Sequence, residues 1–266
     1  MKYSIFAIIL FAIPLILFLG LQSCVSVKEY NSNSKPVNHA LWDTLVNEHV
    51  TASGDVDYKG FIADSTRFNN YLDLLSSAHP NKKNWSRDEQ LAYWINAYNA
   101  FTVKIIIDNY PVESIKNIKE GLPFVSDTWT VEFIKIEDRM YNLNNIEHGI
   151  IRPNFKEPRI HFAVNCASIS CPKLRNEAFT AEKLEKQLAE QARDFLRDES
   201  KNKFTSSEEV KLSKIFDWFK GDFKEKYPSV TAFVNEYGPI KLDTDASLDY
   251  LDYDWNLNDV GTASTN

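Results

Sequence analysis

The chain has 266 residues, 37 acidic against 30 basic side chains, and a formal net charge of -7 at pH 7. That acidity favours solubility and, with no basic patch and no interleaving of aromatic and basic residues, excludes nucleic acid and anionic surfaces as partners. Six Trp, twelve Tyr and seventeen Phe supply ample core material for a single domain.

The N-terminus reads as a targeting segment. Lys2 provides a positive start, Ile5 to Leu19 an apolar run, and Leu21-Gln22-Ser23-Cys24 a small-residue cleavage site. Leu-x-Ser-Cys resembles the lipobox of bacterial lipoproteins. The resemblance implies a signal peptide over 1–23, a lipid on Cys24, and a chain held by the membrane of the bacterial cell envelope, outside the cytoplasm. An uncleaved anchor helix is the competing reading. The polar, Asn- and Ser-rich stretch that follows predicts a tether over 24–37. One domain is predicted over 38–260, and a disordered tail over 261–266.

Within the domain, Leu41, Trp42, Leu45 and Val46 give a helical period over Asn38 to Val50. Gly54 to Tyr58 reads as a turn into an extended piece, and Ser65 to Ser77 as a helix carrying Phe68, Tyr71, Leu72 and Leu75. The strongest signal is Ser86-Arg87-Asp88-Glu89, a capping box that opens a helix running to about Asp108, where Asn109-Tyr110-Pro111 ends it. This helix carries Asn96 and Asn99 on one face. Asn is a weak helix former and costs free energy when buried without a partner, so two of them on so apolar a helix require a role.

Thr128 to Ile136 alternates as a strand, with a second beginning at Arg139-Met140-Tyr141. Leu143 to Ile151 predicts a short helix holding Glu147 and His148, and Asn154 to Pro158 a loop. Arg159 to Cys166 predicts a buried strand that ends in the turn Cys-Ala-Ser-Ile-Ser-Cys-Pro. Thr180 to Asp198 is amphipathic, Val210 to Phe219 turns from strand to helix, Ser229 to Tyr237 is helical, and Leu248 to Leu257 closes as a strand. Mixed elements without regular alternation predict an α+β fold, with helices around a small, mainly antiparallel sheet.

Apart from Cys24, the only cysteines are Cys166 and Cys171. They lie with His161, Asn165 and Ser168 in one short stretch, a polar mixture that a packed core does not need and a reactive site does. Cys166 is the predicted nucleophile, at a turn that can expose sulfur and aim backbone donors at an oxyanion. Asn165, Ser168 and Cys171 are predicted to line the oxyanion pocket. In a strand, His161 and Cys166 face opposite sides and lie roughly 16 Å apart at about 3.3 Å per residue. His148 is therefore the predicted base, His161 a second pocket residue, and Asn96 or Asn99 the group that orients the ring. Arg152, Arg159 and Arg175 flank the segment and could hold a substrate carboxylate or simply be solvated.

Gly54 to Tyr58, Ala92 to Ala100, Ile146 to Ile150, His161 to Ser168 with Cys171-Pro172, and Tyr253 to Asn258 resemble, in the same order, the landmarks of the family catalogued as domain of unknown function 547. Its name assigns no chemistry. A distant similarity to papain- or transglutaminase-like cysteine enzymes implies a thiol-dependent hydrolase or acyltransferase acting on amide bonds of a peptide or small molecule, with no cofactor. The alternatives are a non-catalytic binding or scaffolding module that uses the same pocket, and a zinc protein with His148, His161, Cys166 and Cys171 as ligands. The cysteine spacing fits no familiar zinc pattern, and a small strained disulfide between Cys166 and Cys171 competes with all of these.

Overall fold

A computed structural model describes residues 30–118 and 127–261. The predicted signal peptide, Cys24 and most of the predicted tail lie outside these residues. Among the described residues no helix is long and apolar enough to cross a membrane.

Three helices open the fold: α1 (Ala40–His49), α2 (Tyr58–Ala63) and α3 (Ser65–Ser76). Their apolar faces meet around Trp42, which stacks on Tyr71 at 5.5 Å between centroids. Tyr58, expected in an extended piece, instead starts α2. Asp57 accepts the Gly60 N–H at 2.8 Å and caps a helix too short to show a period. The preceding turn needs Gly54 at φ +93°, where an added Cβ would also collide with Lys173. This close approach ties the turn to the end of the cysteine segment.

α4 (Arg87–Asp108) is the central helix, and its capping box forms as predicted. The Glu89 N–H donates to Ser86 Oγ at 3.2 Å, and the Ser86 N–H to the Glu89 carboxylate at 2.6 Å. Residues all round its circumference are buried, which marks a helix at the centre of a fold and not on its surface.

Two small sheets complete the α+β class. β1 (Ile134–Ile136) pairs antiparallel with β2 (Arg139–Tyr141). Thr128–Thr130, predicted as strand, is a 3-10 turn capped by Asp127. A π-helical turn over Asn145–Ile151 replaces the expected ordinary helix and runs into α5 (Arg152–Phe155), where a loop was expected. The predicted strand from Arg159 to Cys166 is also absent. Pro158–Phe162 forms a 3-10 turn because Pro158 presets φ and the Glu157 side chain accepts the Arg159 N–H.

The remainder comprises α6 (Leu184–Arg197), β3 (Lys203–Phe204), β4 (Glu209–Leu212), α7 (Ile215–Trp218), α8 (Lys220–Lys226), α9 (Val230–Tyr237) and β5 (Ser247–Tyr250). β4 pairs antiparallel with β3 and parallel with β5. The final strand is shorter than predicted, and Leu251 to Leu257 runs on irregularly.

Two hydrophobic cores result. The larger gathers α1 to α5 around α4, and the smaller stacks Phe162, Phe195, Phe216, Phe223 and Phe233 among α6 to α9. Ile160, Ala163, Val164 and Ala167 belong to the first core and Phe162 to the second, so the cysteine segment is the seam between them. The predicted tether is docked from Tyr30 onward. The Ser34 carbonyl accepts from Asn81 Nδ2 at 2.9 Å and Trp85 Nε1 at 3.0 Å, and Ser32 donates to Glu137.

Candidate functional site

The chain from Ala163 to Pro172 has almost no regular secondary structure, so side chains must satisfy its buried backbone groups. Asn99 on α4 donates Nδ2 to the Ala163 carbonyl at 2.9 Å and accepts the Asn165 N–H at 2.8 Å. Asn165 in turn donates to the Pro172 carbonyl at 2.7 Å and accepts the Ala167 N–H at 2.9 Å. That turn holds Ala167 at φ +59°, a left-handed conformation uncommon outside glycine, directly after Cys166. The C-terminal segment braces the other side. The Ile169 N–H donates to the Asn256 carbonyl at 2.9 Å and the Asn258 N–H to the Ala167 carbonyl at 3.3 Å.

Both thiols are free, with Cys166 partly exposed and Cys171 buried. The two sulfurs lie 3.0 Å apart in a thiol–thiol hydrogen bond, and no disulfide joins them. Ser168 Oγ lies 3.2 Å and Tyr253 Oη 3.3 Å from the Cys166 sulfur. Hydrogen bonding from Cys171 is the chief cause that lowers the Cys166 pKa, against the opposing effect of burial, and Ser168 and Tyr253 add to it. Burial pushes the Cys171 thiol and the Tyr253 phenol up, so both keep their protons and can donate. The Cys166 N–H donates to Cys171 Sγ at 2.9 Å.

Cys166 faces a cleft of about 450 Å³, which it shares with His148, His161, Glu147, Cys171 and Tyr253. Trp129, Trp218 and Trp255 form an aromatic mouth, with Trp218 still 47% exposed. Lys116 sits over the Trp255 ring at 4.6 Å.

The two imidazoles differ sharply. His161 is buried, stacks on Phe219 at 3.8 Å, and makes one polar contact through Nε2, 2.8 Å from Asp222 Oδ2. With the proton on Nε2 donated to that carboxylate, Nδ1 is left as a buried acceptor with no partner. Burial lowers the pKa of the ring, against the effect of Asp222. Burial also opposes the charge on Asp222, but hydrogen bonds from Arg152 and His161 prevail and hold its carboxyl below the usual range. Arg152 binds Asp222 through Nε at 2.6 Å and Nη2 at 2.8 Å, and its Nη1 donates to His148 Nδ1 at 3.1 Å. Arg152 can only donate, so His148 Nδ1 is the acceptor of this contact.

The predicted residues thus divide. Cys166, Cys171, His148 and His161 line one cleft, and Ser168 contacts the Cys166 sulfur. Asn96 and Asn99 do not reach an imidazole. Both ends of the Asn96 amide are spent on the Phe179 backbone, as those of Asn99 are on Ala163 and Asn165. Asn165 closes the turn, and its amide and the N–H groups of Cys166 and Ala167 are already engaged, so they offer no oxyanion donors. His148, His161, Cys166 and Cys171 do not gather as metal ligands. Among the described residues only Glu48, His49 and Asp64 cluster in that way, and Arg67 already pairs with both of their carboxylates.

The flanking arginines are all paired: Arg152 with Asp222, Arg159 with Glu157 and Glu185, and Arg175 with Glu177 and Glu190. Asp222 sits in a stretch of ordinary surface character and has no signal in the sequence, whereas Tyr253 opens one of the family landmarks with no role attached to it. Glu147 and His148, neighbours in sequence, both reach the cleft from the π-helical turn, 3.7 Å apart.

Residues 82–196 match the family model described as "Protein of unknown function, DUF547". The match supports the family resemblance and covers α4, the π-helical turn, the cysteine segment and nearly all of α6. It does not extend to Gly54–Tyr58 or Tyr253–Asn258. No curated protein and no solved structure matches the chain.

Two consequences can be measured. Asn99→Leu should destabilise the fold by about 2 kcal/mol or more, because it strands a buried carbonyl and a buried N–H. Urea denaturation checks this, and a loss well under half that size would show that the clamp is dispensable. Cys171→Ala removes the leading donor to the Cys166 thiolate, so the pH profile of Cys166 alkylation should move to higher pH. An unshifted profile would refute that assignment.

Proposed function

We propose that the cleft is a thiol enzyme site in which Cys166 attacks the carbonyl of an amide bond and His161, oriented by Asp222, carries the proton. One observation carries this reading. A buried imidazole, with one nitrogen fixed by a carboxylate and the other without a partner, lines the same cleft as a thiol whose ionised form is favoured. The leading base is thus His161 and not His148. The objection to His161 rested on strand geometry, and the segment is a 3-10 turn followed by an irregular loop.

In the reaction, the Cys166 thiol gives its proton to His161 Nδ1 and its sulfur bonds to the carbonyl carbon. The amide C–N bond breaks, and the departing amine takes the proton from His161. Water or an acceptor amine then gives a proton to His161 and attacks the thioester carbonyl, the C–S bond breaks, and the proton passes back to the Cys166 sulfur. His161 and Cys166 are not hydrogen-bonded to each other, and the sulfur is held by Cys171, Ser168 and Tyr253. Catalytic contacts of this kind commonly tighten once substrate is bound. Tyr253 and Ser168 hydroxyls, and not backbone N–H groups, are suited to meet the oxyanion. The three tryptophans at the mouth suit an apolar portion of a peptide or small-molecule substrate.

Iodoacetamide should label Cys166 in the folded protein near pH 7 at least about tenfold faster than a free thiol. His161→Ala should lower turnover of peptide amides, followed by amine release, by about 10²–10⁴-fold while the fold is retained. Labelling that requires denaturant would leave only a binding module.

The N-terminal resemblance supports a second element of the proposal, a lipid anchor on Cys24 in the bacterial envelope. Metabolically supplied palmitate should be incorporated into the full chain and lost in Cys24→Ala. Equal incorporation in both would overturn it.

A further inference from the structure

We propose that Cys166 and Cys171 also form a dithiol couple that reduces low-molecular-weight disulfides entering the cleft, with Cys166 attacking and Cys171 resolving. This activity goes beyond amide chemistry and requires neither His161 nor Asp222.

The geometry is that of an unequal pair. Cys166 is partly exposed on an open cleft, Cys171 is buried behind it, and the sulfurs already touch at 3.0 Å. Closing to a bonded pair at about 2.05 Å requires roughly 1 Å of movement at the side chains. The Cys166 N–H aimed at Cys171 Sγ is positioned to stabilise charge on that sulfur as it attacks. Asn99 and Asn165 hold the intervening backbone, so the two thiols cannot drift apart. An accessible thiol with a favoured anion next to a second, resolving thiol is the arrangement that thiol–disulfide exchange uses.

The electrons balance without a further reagent. The Cys166 thiolate attacks one sulfur of the substrate disulfide and forms a mixed disulfide, and the first substrate thiolate leaves. Cys171 then loses its proton and attacks Cys166 Sγ. The Cys166–Cys171 bond forms, the mixed disulfide breaks, and the second substrate thiolate takes the proton. The substrate disulfide gains two electrons and the protein dithiol loses them.

The test uses the full-length chain with Cys24→Ser, which leaves only these two thiols, and one equivalent of dithiobis(nitrobenzoate) as the disulfide. The expected result is release of two aryl thiols per chain and a protein lighter by two hydrogens with no adduct. Cys171→Ser, or Cys171→Ala if serine perturbs the fold, should release one aryl thiol and keep one adduct that a reductant removes. A parent protein that keeps an aryl adduct, or does not react while folded, would overturn the proposal. His161→Ala should still release two aryl thiols, so the amide reading can fail while this one stands. Loss of the second release in that variant would overturn the claim that the couple is independent of His161.

Discussion

Buried backbone groups must be hydrogen-bonded, and at the centre of this protein the chain runs without helix or sheet to do it. The molecule meets that demand with side-chain amides. Asn99 bridges Ala163 and Asn165, Asn96 holds both polar groups of Phe179, and Asn165 spans from Ala167 to Pro172. Gln187 and Gln191 on α6 do the same for Ala178, Thr180, Phe162 and Lys173, and Asn202 for Phe195 and Ser213. Asn96, Asn99, Asn165, Gln187 and Asn202 each donate and accept, so each can stand in for a neighbouring strand, whereas Gln191 only donates and its Oε1 is buried without a partner. The cysteine loop is therefore fixed in place while remaining irregular, and irregularity lets it present sulfur at the seam between two cores.

Polar contacts continue across that seam. His148 and Arg152 come from the π-helical turn and α5, His161 from the 3-10 turn, and Asp222 from α8, and they form one chain of hydrogen bonds. Beside it, buried Arg159 joins Glu157 to Glu185, and Lys226 reaches Glu157 from α8. Burial works against the charge on Glu157, yet these partners hold its carboxyl down at about 2. Since a charge left alone in such a place is costly, the second core is registered on the first by pairs that are satisfied in one arrangement. The His161 ring is thus oriented from across the seam, by Asp222 of α8 and through it Arg152 of α5, while the segment that carries both ring and thiol takes its path from its own turn and from Asn99.

How much of this the sequence disclosed depends on the range of the interaction responsible. α4 begins and ends where predicted because its signals are local: a capping box at Ser86 and a Pro at 111. The cysteine segment stood out because its polar residues needed partners, and Asn96 and Asn99 for the same reason. Two roles fit them in the sequence, ring orienter and backbone clamp, because an amide seeking a ring and an amide seeking backbone look identical there, and the structure has the clamp. The strand predicted from Arg159 failed because the mix of apolar and polar residues in Ile-His-Phe-Ala-Val imitates a buried strand, while Pro158 and the Glu157 cap decide the conformation. That failure propagated to the choice between His148 and His161. Asp222 had no local signature at all, since only tertiary packing brings α8 to His161.

The last described residues complete the thiol's surroundings. Tyr253, Asp254, Asn256 and Asn258 all bond to the loop around Cys166, and Tyr253 is synthesised 87 positions after the sulfur it contacts. Throughout that interval of translation the growing polypeptide carries an unsheltered cysteine, without the phenol and without the brace that shapes its turn. A chain cut before Tyr253 would therefore keep Cys171 beside Cys166 but lose the phenol and the three backbone hydrogen bonds that hold the loop.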